Sequence, residues 1–334
     1  MRLYNPGERP NLIRKLSAIM KLIHYKNLPD AVTGSVVSVG NFDGIHKGHE
    51  ALIKEVVQRA RDKNLASIIV TFDPHTRSVV QADSVQPVLS TLEEKAFLLE
   101  PFGVDYCAWI PFDRKFAALS AEEFADTVLA GSMRAQEWVM GEEHTFGRGH
   151  AGNKNLLQSG LVRNHIYIFP VASLKREGTI VSSTEIRKKI VEGNVEDAVA
   201  MLGHPYLVSA KRVSGIQQGS QMGFPTLNFA RPVSNKVLPP PGVYAAMLEH
   251  GAKKWRGAFY FGNCPTFSNR DFHLEFHEFD FTGEVPGEGE TAHLWLHALV
   301  RKDATFATQD ELVHQMKKDV TSIQNFFAGE GLCR

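Results

Sequence analysis

The sequence predicts an α/β protein in two parts: a doubly wound parallel sheet, then a small antiparallel β-barrel with a terminal helix. Three observations predict it. Up to about residue 204, short β-branched runs alternate with amphipathic helical stretches, the rhythm of a parallel sheet with helices on both faces. After Tyr206 glycines and prolines cluster, and strand-like runs follow one another without helices between, as in a small barrel. One amphipathic stretch then closes the chain. The expected division is an extension over residues 1–19, a first domain over 20–204 and a second over 205–334.

The first strand-like run is KLIHY at Lys21–Tyr25. The compact fold is expected to begin there, with residues 1–19 a frayed extension or the product of a start codon placed too far upstream. Ser35–Val39 is a second β-branched run. A Gly-rich loop leads into a helix over Glu50–Arg61, with Leu52, Ile53, Val56, Val57 and Ala60 on one face. Ala66–Phe72 is almost continuously apolar, as suits a strand buried on both faces. Leu92–Glu100 reads as helix and Asp105–Pro111 as strand. Ser120–Leu129 reads as a helix capped by Ser120, and Glu137–Met140 and His165–Ser173 as strands. In the second part the strands are Gly242–Glu249, Lys254–Phe261, His273–Phe281 and Ala292–Arg301. The closing helix opens on a capping box, Thr308-Gln-Asp-Glu311, and carries Leu312, Val313, Met316 and Val320 as its stripe.

Composition narrows the function. The 334 residues carry 37 basic and 37 acidic side chains. A balanced charge argues against a bulk nucleic-acid or membrane-surface binder, while a local basic pocket for a small anion stays open. Cys107, Cys264 and Cys333 are odd in number and far apart, so no disulfide framework is expected. No apolar run approaches the length of a membrane span, and the first twenty residues lack the apolar region of a secretory signal. A cytoplasmic setting with small-molecule substrates is expected.

The strongest local signal is Gly40-Asn-Phe42-Asp43-Gly44-Ile-His46-Lys47-Gly48-His49. It lies between a strand and the helix after it, where open α/β sheets bind ligands. A helix N-terminus there offers free N–H groups to a phosphate. The glycines allow close backbone approach, both histidines sit at the helix start, and Lys47 adds charge. Such a set suits phosphoryl chemistry without a covalent nucleophile: donors and positive charge surround an α-phosphate as pyrophosphate leaves. Imidazoles strengthen as donors if protonated. A zinc pair or a core pair of histidines is the alternative for a bare HxxH.

This segment resembles the HxGH signature of the nucleotidyltransferase superfamily, and "VGNFDGIHKGHEALI" resembles the opening of the bacterial bifunctional flavin synthetases. The likeness continues through Thr71-Phe-Asp73-Pro74-His75, Leu89–Leu99, Pro111–Phe124 and Met140–Gly152. It covers nearly the whole chain from Met20 onward. It implies that Gly40, Phe42, Asp43, Gly44, Lys47 and Gly48 bind ATP around His46 and His49. It also implies that Ser183, Thr184 and Arg187 clamp the triphosphate from the opposite side, a task suited to arginine's planar fork. Asp73, Pro74, His75, Phe146 and Gly147 would shape an FMN pocket. The loop at Glu143-His144-Thr145 departs from the Asp-Phe-Arg usual in the family.

In the second part, Gly223-Phe224-Pro225-Thr226-Leu227-Asn228 enters a strand after a loop holding Gly215 and Gly219. Thr226 and Asn228 are two apart and share a face on a strand. Their neutral oxygens suit Mg2+ that already carries phosphate and water ligands. The segment resembles the PTAN motif of riboflavin kinases. By that likeness Gly219, Gly223, Phe224, Pro225, Thr226, Asn228 and Arg301 serve ATP or flavin, Thr226 and Asn228 hold the metal, and Glu275 is the catalytic carboxylate. Ser220 stands where the family has a basic residue, and Lys211 or Arg212 is the candidate substitute. The expected function is phosphorylation of riboflavin to FMN, then adenylylation of FMN to FAD, with ATP and Mg2+. The alternatives are a single-function FAD synthetase, a flavin sensor on the same scaffold, and a nucleotidyltransferase for another acceptor. The PTLN barrel discriminates against the last.

Overall fold

A computed structural model gives the architecture. It describes residues 20–80, 86–150, 152, 166–176, 178–215, 223–233, 235–262, 273–279 and 285–329. Gly219, Ser220, Cys264 and Cys333 lie outside them, as does the extension over residues 1–19.

Six parallel strands form the first sheet: β1 (Lys21–His24), β2 (Ser35–Val39), β3 (Ala66–Asp73), β4 (Tyr106–Pro111), β5 (Ala135–Gly141) and β6 (Tyr167–Val171). Their order is β1-β4-β3-β2-β5-β6. The chain leaves β2 toward β3 on one side and returns to β5 on the other, which puts the switch point at the carboxyl end of β2. All five residues of β2 and six of the eight in β3 are buried, as their apolar sequences require for a sheet covered on both faces. The helices of this part are α1 (Lys47–Asp62), α2 (Thr76–Val80), α3 (Leu92–Leu99), α4 (Arg114–Ala117), α5 (Ala121–Glu123), α6 (Ser183–Glu192) and α7 (Val195–Leu202). A two-stranded ribbon, β7 (Lys175–Arg176) with β8 (Thr179–Ile180), precedes α6. In α1 the buried residues are Ile53, Val56, Val57 and Ala60; Leu52 lies at the edge of that face.

The helix expected over Ser120–Leu129 is different in kind. Ser120 caps it and makes a full capping box with Glu123. After Glu123, however, the backbone widens to a π-helix over Phe124–Ser132, with Met133 N donating to Val128 O. The wider turn buries Phe124, Ala125, Val128 and Leu129 together.

The second part is a closed barrel of β9 (Tyr206–Val213), β10 (Leu227–Phe229), β11 (Gly242–His250), β12 (Lys253–Gly262), β13 (His273–Glu278) and β14 (Thr291–Lys302), ordered β10-β13-β12-β11-β14-β9. Closure removes the exposed edges that a six-stranded open sheet would carry. Helix α8 (Gln309–Ala328) covers one face of it. Thr308 caps α8 by accepting from Glu311 N, but Glu311 reaches back to Ala307 N rather than to Thr308. The box is therefore half formed. The expected stripe of Leu312, Val313, Met316 and Val320 is only half-buried; Asp319 and Ile323 go deepest.

The apolar core crosses from one part to the other. Leu89, Val181, Ile186, Ile190, Val195, Ala198 and Leu202 belong to one buried cluster with Tyr206, Val208, Leu227, Phe259 and Phe276 of the barrel. Val88 bridges to Lys236, and the Phe97 ring stacks on His293 at 3.9 Å.

Candidate active sites

The first site grows from the loop between β2 and α1. Phe42, Gly44 and Ile45 all adopt positive φ, at 44°, 84° and 42°. For Phe42 and Ile45 this conformation is strained. The tight turn aims the start of α1 at the carboxyl edge of the sheet. His46 is the N-cap of α1, and its Nδ1 accepts from His49 N at 3.3 Å. The two rings stack with centroids 3.6 Å apart, and Phe42 packs beside His49 at 5.0 Å. Gly48 makes this possible, because a Cβ there would lie 3.1 Å from the His46 ring. Lys47 is exposed at the rim.

A second helix start meets the first. Ser182 caps α6, and Ser183 Oγ donates to the backbone O of Asp43 at 2.9 Å. Two positive helix ends thus face one place. Thr184 lies exposed on the first turn, and Arg187 is buried one turn in. Arg187 Nη2 donates to Asp43 Oδ2 at 2.8 Å. The Asp43 carboxylate also accepts from Leu89 N and Ser90 N, both at 2.9 Å. The Asp43 carboxylate thus braces Arg187 and the 89–90 turn from within the loop. Arg187 keeps its Nε buried and without a partner among the described residues.

Electrostatics favour neutral imidazoles before substrate arrives. Burial pulls the His46 pKa down to about 4, against the opposing field of Asp43. Burial, then the fields of His46 and Lys95, pull His49 well below its ordinary value. Protonated donors are therefore not the resting state. A triphosphate would supply the negative field that raises both.

Other expected residues fall differently. His75 is buried, its Nδ1 accepting from Arg77 N at 3.2 Å. Burial lowers its pKa to about 4 while Asp43 opposes that shift. It thus belongs to the same electrostatic group as His46. Asp73 is exposed at the end of β3, followed by Pro74. Phe146 is a core residue, edge-on to Trp138 at 4.8 Å. Gly147 has φ of 72°, and a Cβ there would lie 2.8 Å from Ala121 N. Both hold the Phe146 loop against α5.

The second site reads off the barrel register. Asn228 pairs with Glu275, Glu275 with Tyr260, Tyr260 with Val243, and Val243 with Arg301. Directly opposed residues share a face, so these five form one row across five strands. Asn228 and Glu275 are neighbours in it. Arg301, three strands from Glu275, is roughly 14 Å away around the barrel at ordinary strand spacing. Its Nε donates to Asp319 of α8 at 2.8 Å, so it ties the terminal helix to the row. Thr226 lies just before β10, two residues from Asn228 and half-buried like it. A Cβ on Gly215 would fall 2.1 Å from Asn228 Nδ2, so the chain before the motif closes tightly over that side chain. Neutral oxygens from Thr226 and Asn228, with Glu275 adjacent, fit Mg2+ delivered with a nucleotide. The exposed Gly223 and Pro225 flank Phe224, which is buried. Sequence reasoning missed His277, which bonds Pro225 O at 2.8 Å and sets its ring 5.2 Å from Phe224. Two positions from Glu275 on the same strand, it was findable by the period of two.

Residues 28–185 match the FAD synthetase family and residues 202–327 the riboflavin kinase family. The bifunctional riboflavin kinase/FMN adenylyltransferase of Escherichia coli (strain K12) is 33% identical over 311 residues, 92% of this chain and 98% of that one. The chain belongs to this family. It carries both a FAD synthetase and a riboflavin kinase domain, which favours the bifunctional enzyme over a single-function synthetase. The bifunctional protein of Haemophilus influenzae is 28% identical over 90% of this chain and 97% of its own. A solved structure titled "Crystal Structure of Macrolide-efflux Protein from Streptococcus pneumoniae" matches with TM-score 0.78 and 28% identity, over 92% of this chain and 99% of that one. That title describes the other protein, and a shared fold does not carry its activity here. No described helix of this chain is long and apolar enough to cross a membrane. Residues 186–201, most of α6 and α7, lie between the two family matches. They are the segment whose apolar faces enter the core shared by the two parts.

Proposed function

We propose that FMN adenylylation takes place where α1 and α6 begin, and riboflavin phosphorylation at the Asn228–Glu275 end of the barrel row. The observation that carries the first assignment is the convergence of two helix starts on a stacked histidine pair, with Arg187 braced behind it. An oxygen of the FMN phosphate attacks the α-phosphorus of ATP, the bond from that phosphorus to the β-phosphate oxygen breaks, and pyrophosphate leaves. His46, His49 and the first amides of α1 hold the oxygens on which charge spreads. Ser183, Thr184 and Arg187 approach from α6. Asp73, Pro74 and His75, at the end of β3, border the flavin side, and the Phe146–Gly147 loop supports it.

In the barrel, the terminal ribityl hydroxyl attacks the γ-phosphorus of ATP, the bond from that phosphorus to the β-phosphate oxygen breaks, ADP leaves, and Glu275 takes the hydroxyl proton. Mg2+ held by Thr226 and Asn228 would neutralise phosphate charge. Gly219, Gly223, Phe224 and Pro225 would cover the nucleotide, and Arg301 would steady the far end of the row through α8. The domain boundary falls at residues 204 and 205. Small-molecule substrates, no nucleic acid and a cytoplasmic setting, where ATP is available, accord with both reactions. The test is direct: incubate the purified protein with riboflavin, ATP and Mg2+ and separate the flavins. FMN followed by FAD is expected. FAD from supplied FMN without any FMN from riboflavin would leave the barrel without its reaction.

A further inference from the structure

Two lysines are buried near the boundary between the parts, and they differ in one respect. Lys236 is neutralised: its ammonium donates to Leu89 O, Glu94 Oε2 and Leu207 O, at 2.5, 2.6 and 2.7 Å. Lys95, on α3, is 3% exposed. Its only hydrogen-bond acceptor among the described residues is Thr71 Oγ1, at the long distance of 3.4 Å. An ammonium carries three donors, and a buried charge without a partner is costly. Nearby carboxylates do not answer it. Asp43 is taken by Arg187, Leu89 N and Ser90 N, and Asp73 is exposed.

The location is what gives the unanswered charge a use. The field of Lys95 reaches both His49 and His75, and Thr71, its one hydrogen-bond partner among the described residues, lies two residues before Asp73 on β3. It therefore stands between the histidine pair and the end of β3, where the reacting phosphates meet in the reading above. Burial lowers its pKa, with Asp43 the largest opposing field, as expected for a cation still lacking its anion.

We propose that Lys95 binds a phosphate oxyanion of the reacting substrates in the adenylylation site, either from the incoming FMN or from the ATP α-phosphate. This rests on the assignment of that site to His46, His49 and Arg187. Lys95 donates to that oxyanion and stabilises the spreading negative charge. Its burial without a directly bonded carboxylate among the described residues lowers the stability of the free protein, and the substrate anion offsets this when it arrives.

The test is Lys95→Met, which keeps the length of the side chain and removes the charge, assayed beside His49→Ala. Lys95→Met should lower FMN adenylylation at least tenfold, in keeping with loss of one preorganised donor. Riboflavin phosphorylation by the same preparation should be unchanged, and the variant should melt no lower than the parent. A raised KM for FMN identifies the flavin phosphate as the bound anion, and a raised KM for ATP identifies the nucleotide. Parental adenylylation kinetics in Lys95→Met, with His49→Ala impaired, would overturn the role of Lys95 and leave the site standing. Parental kinetics in both would overturn the site and this inference together. A lowered melting temperature, with both activities falling in step, would show Lys95 to be structural.

Discussion

The Lys236 ammonium lies 2.6 Å from Glu94 Oε2, 142 residues away in sequence, and both side chains are almost wholly buried. Glu94 also closes the capping box of α3 by accepting from Thr91 N, and its other oxygen accepts from Ser209 N in the barrel. One carboxylate thus serves a helix start, a cation and the second part of the chain. Removing one partner of such a pair strands the other charge in the core, at about 3–5 kcal/mol. Lys236→Ala should lose that much in urea unfolding, and both activities should fall together as the folded fraction falls. Loss of one activity alone would mean that the pair does not bind the parts into one unit.

The same interface bears on dissection. Read from sequence, a fragment from Met20 to Gly203 folds alone and adenylylates FMN, because the parallel-sheet rhythm is complete by then. The structure adds that Ile186, Ile190, Val195 and Ala198 face the barrel, on the helices that carry or follow Ser183 and Arg187. Without the barrel those faces meet water. The fragment should keep its sheet by circular dichroism but bind ATP more weakly than the full chain. A fragment with the full chain's KM for ATP would show that α6 is held by the sheet alone.

His297, on β14, packs its ring against Phe326 and Phe327 of α8 at 6.0 and 5.2 Å. Burial, with the Arg256 charge adding to it, lowers its pKa from 6.5 to about 4. Between those values the unfolded chain binds the proton and the folded chain does not, so stability rises with pH across the window and is lost as pH falls from 6.5 toward 4. The effect of this one group is at most about 3 kcal/mol. His297→Phe should flatten that part of the stability–pH curve without changing stability at pH 8 by more than about 1 kcal/mol. An unchanged acid slope would mean that His297 is protonated in the folded protein.

Glu275→Gln should reduce riboflavin phosphorylation by about a hundredfold to ten-thousandfold, the usual worth of a general base, while FMN adenylylation persists. Normal phosphorylation would make Glu275 an ordinary strand residue of the row.

Much of this was legible in the sequence. The near-continuous apolar run at Ala66–Phe72 marked a doubly covered strand, and the glycines around His46 and His49 marked a turn into a helix. The Gly-Phe-Pro-Thr run before Asn228 marked the entry to a strand, which begins at Leu227. What sequence could not show depends on residues far apart along the chain. Asp43 meets Arg187 across 144 residues, so its role as a brace is invisible locally. Glu94 lay unremarked inside the helix read over Leu92–Glu100, and the structure shows it both closing the cap of α3 and pairing with Lys236. Lys95 sat inside a helix where a solvated lysine is ordinary, and only the packing of α3 shows it buried. Phe146 was placed near a flavin pocket by family resemblance alone, and its packing beside Trp138 and Phe124 depends on residues no local pattern links to it.

The measurement that bears most directly on the central claim is the pair of activities of His49→Ala in one preparation. His49 belongs to the first site alone and stacks on His46 at the start of α1. Its loss should cost FMN adenylylation roughly a hundredfold and leave riboflavin phosphorylation at the parental rate. FAD formation at the parental rate in that variant would contradict the account.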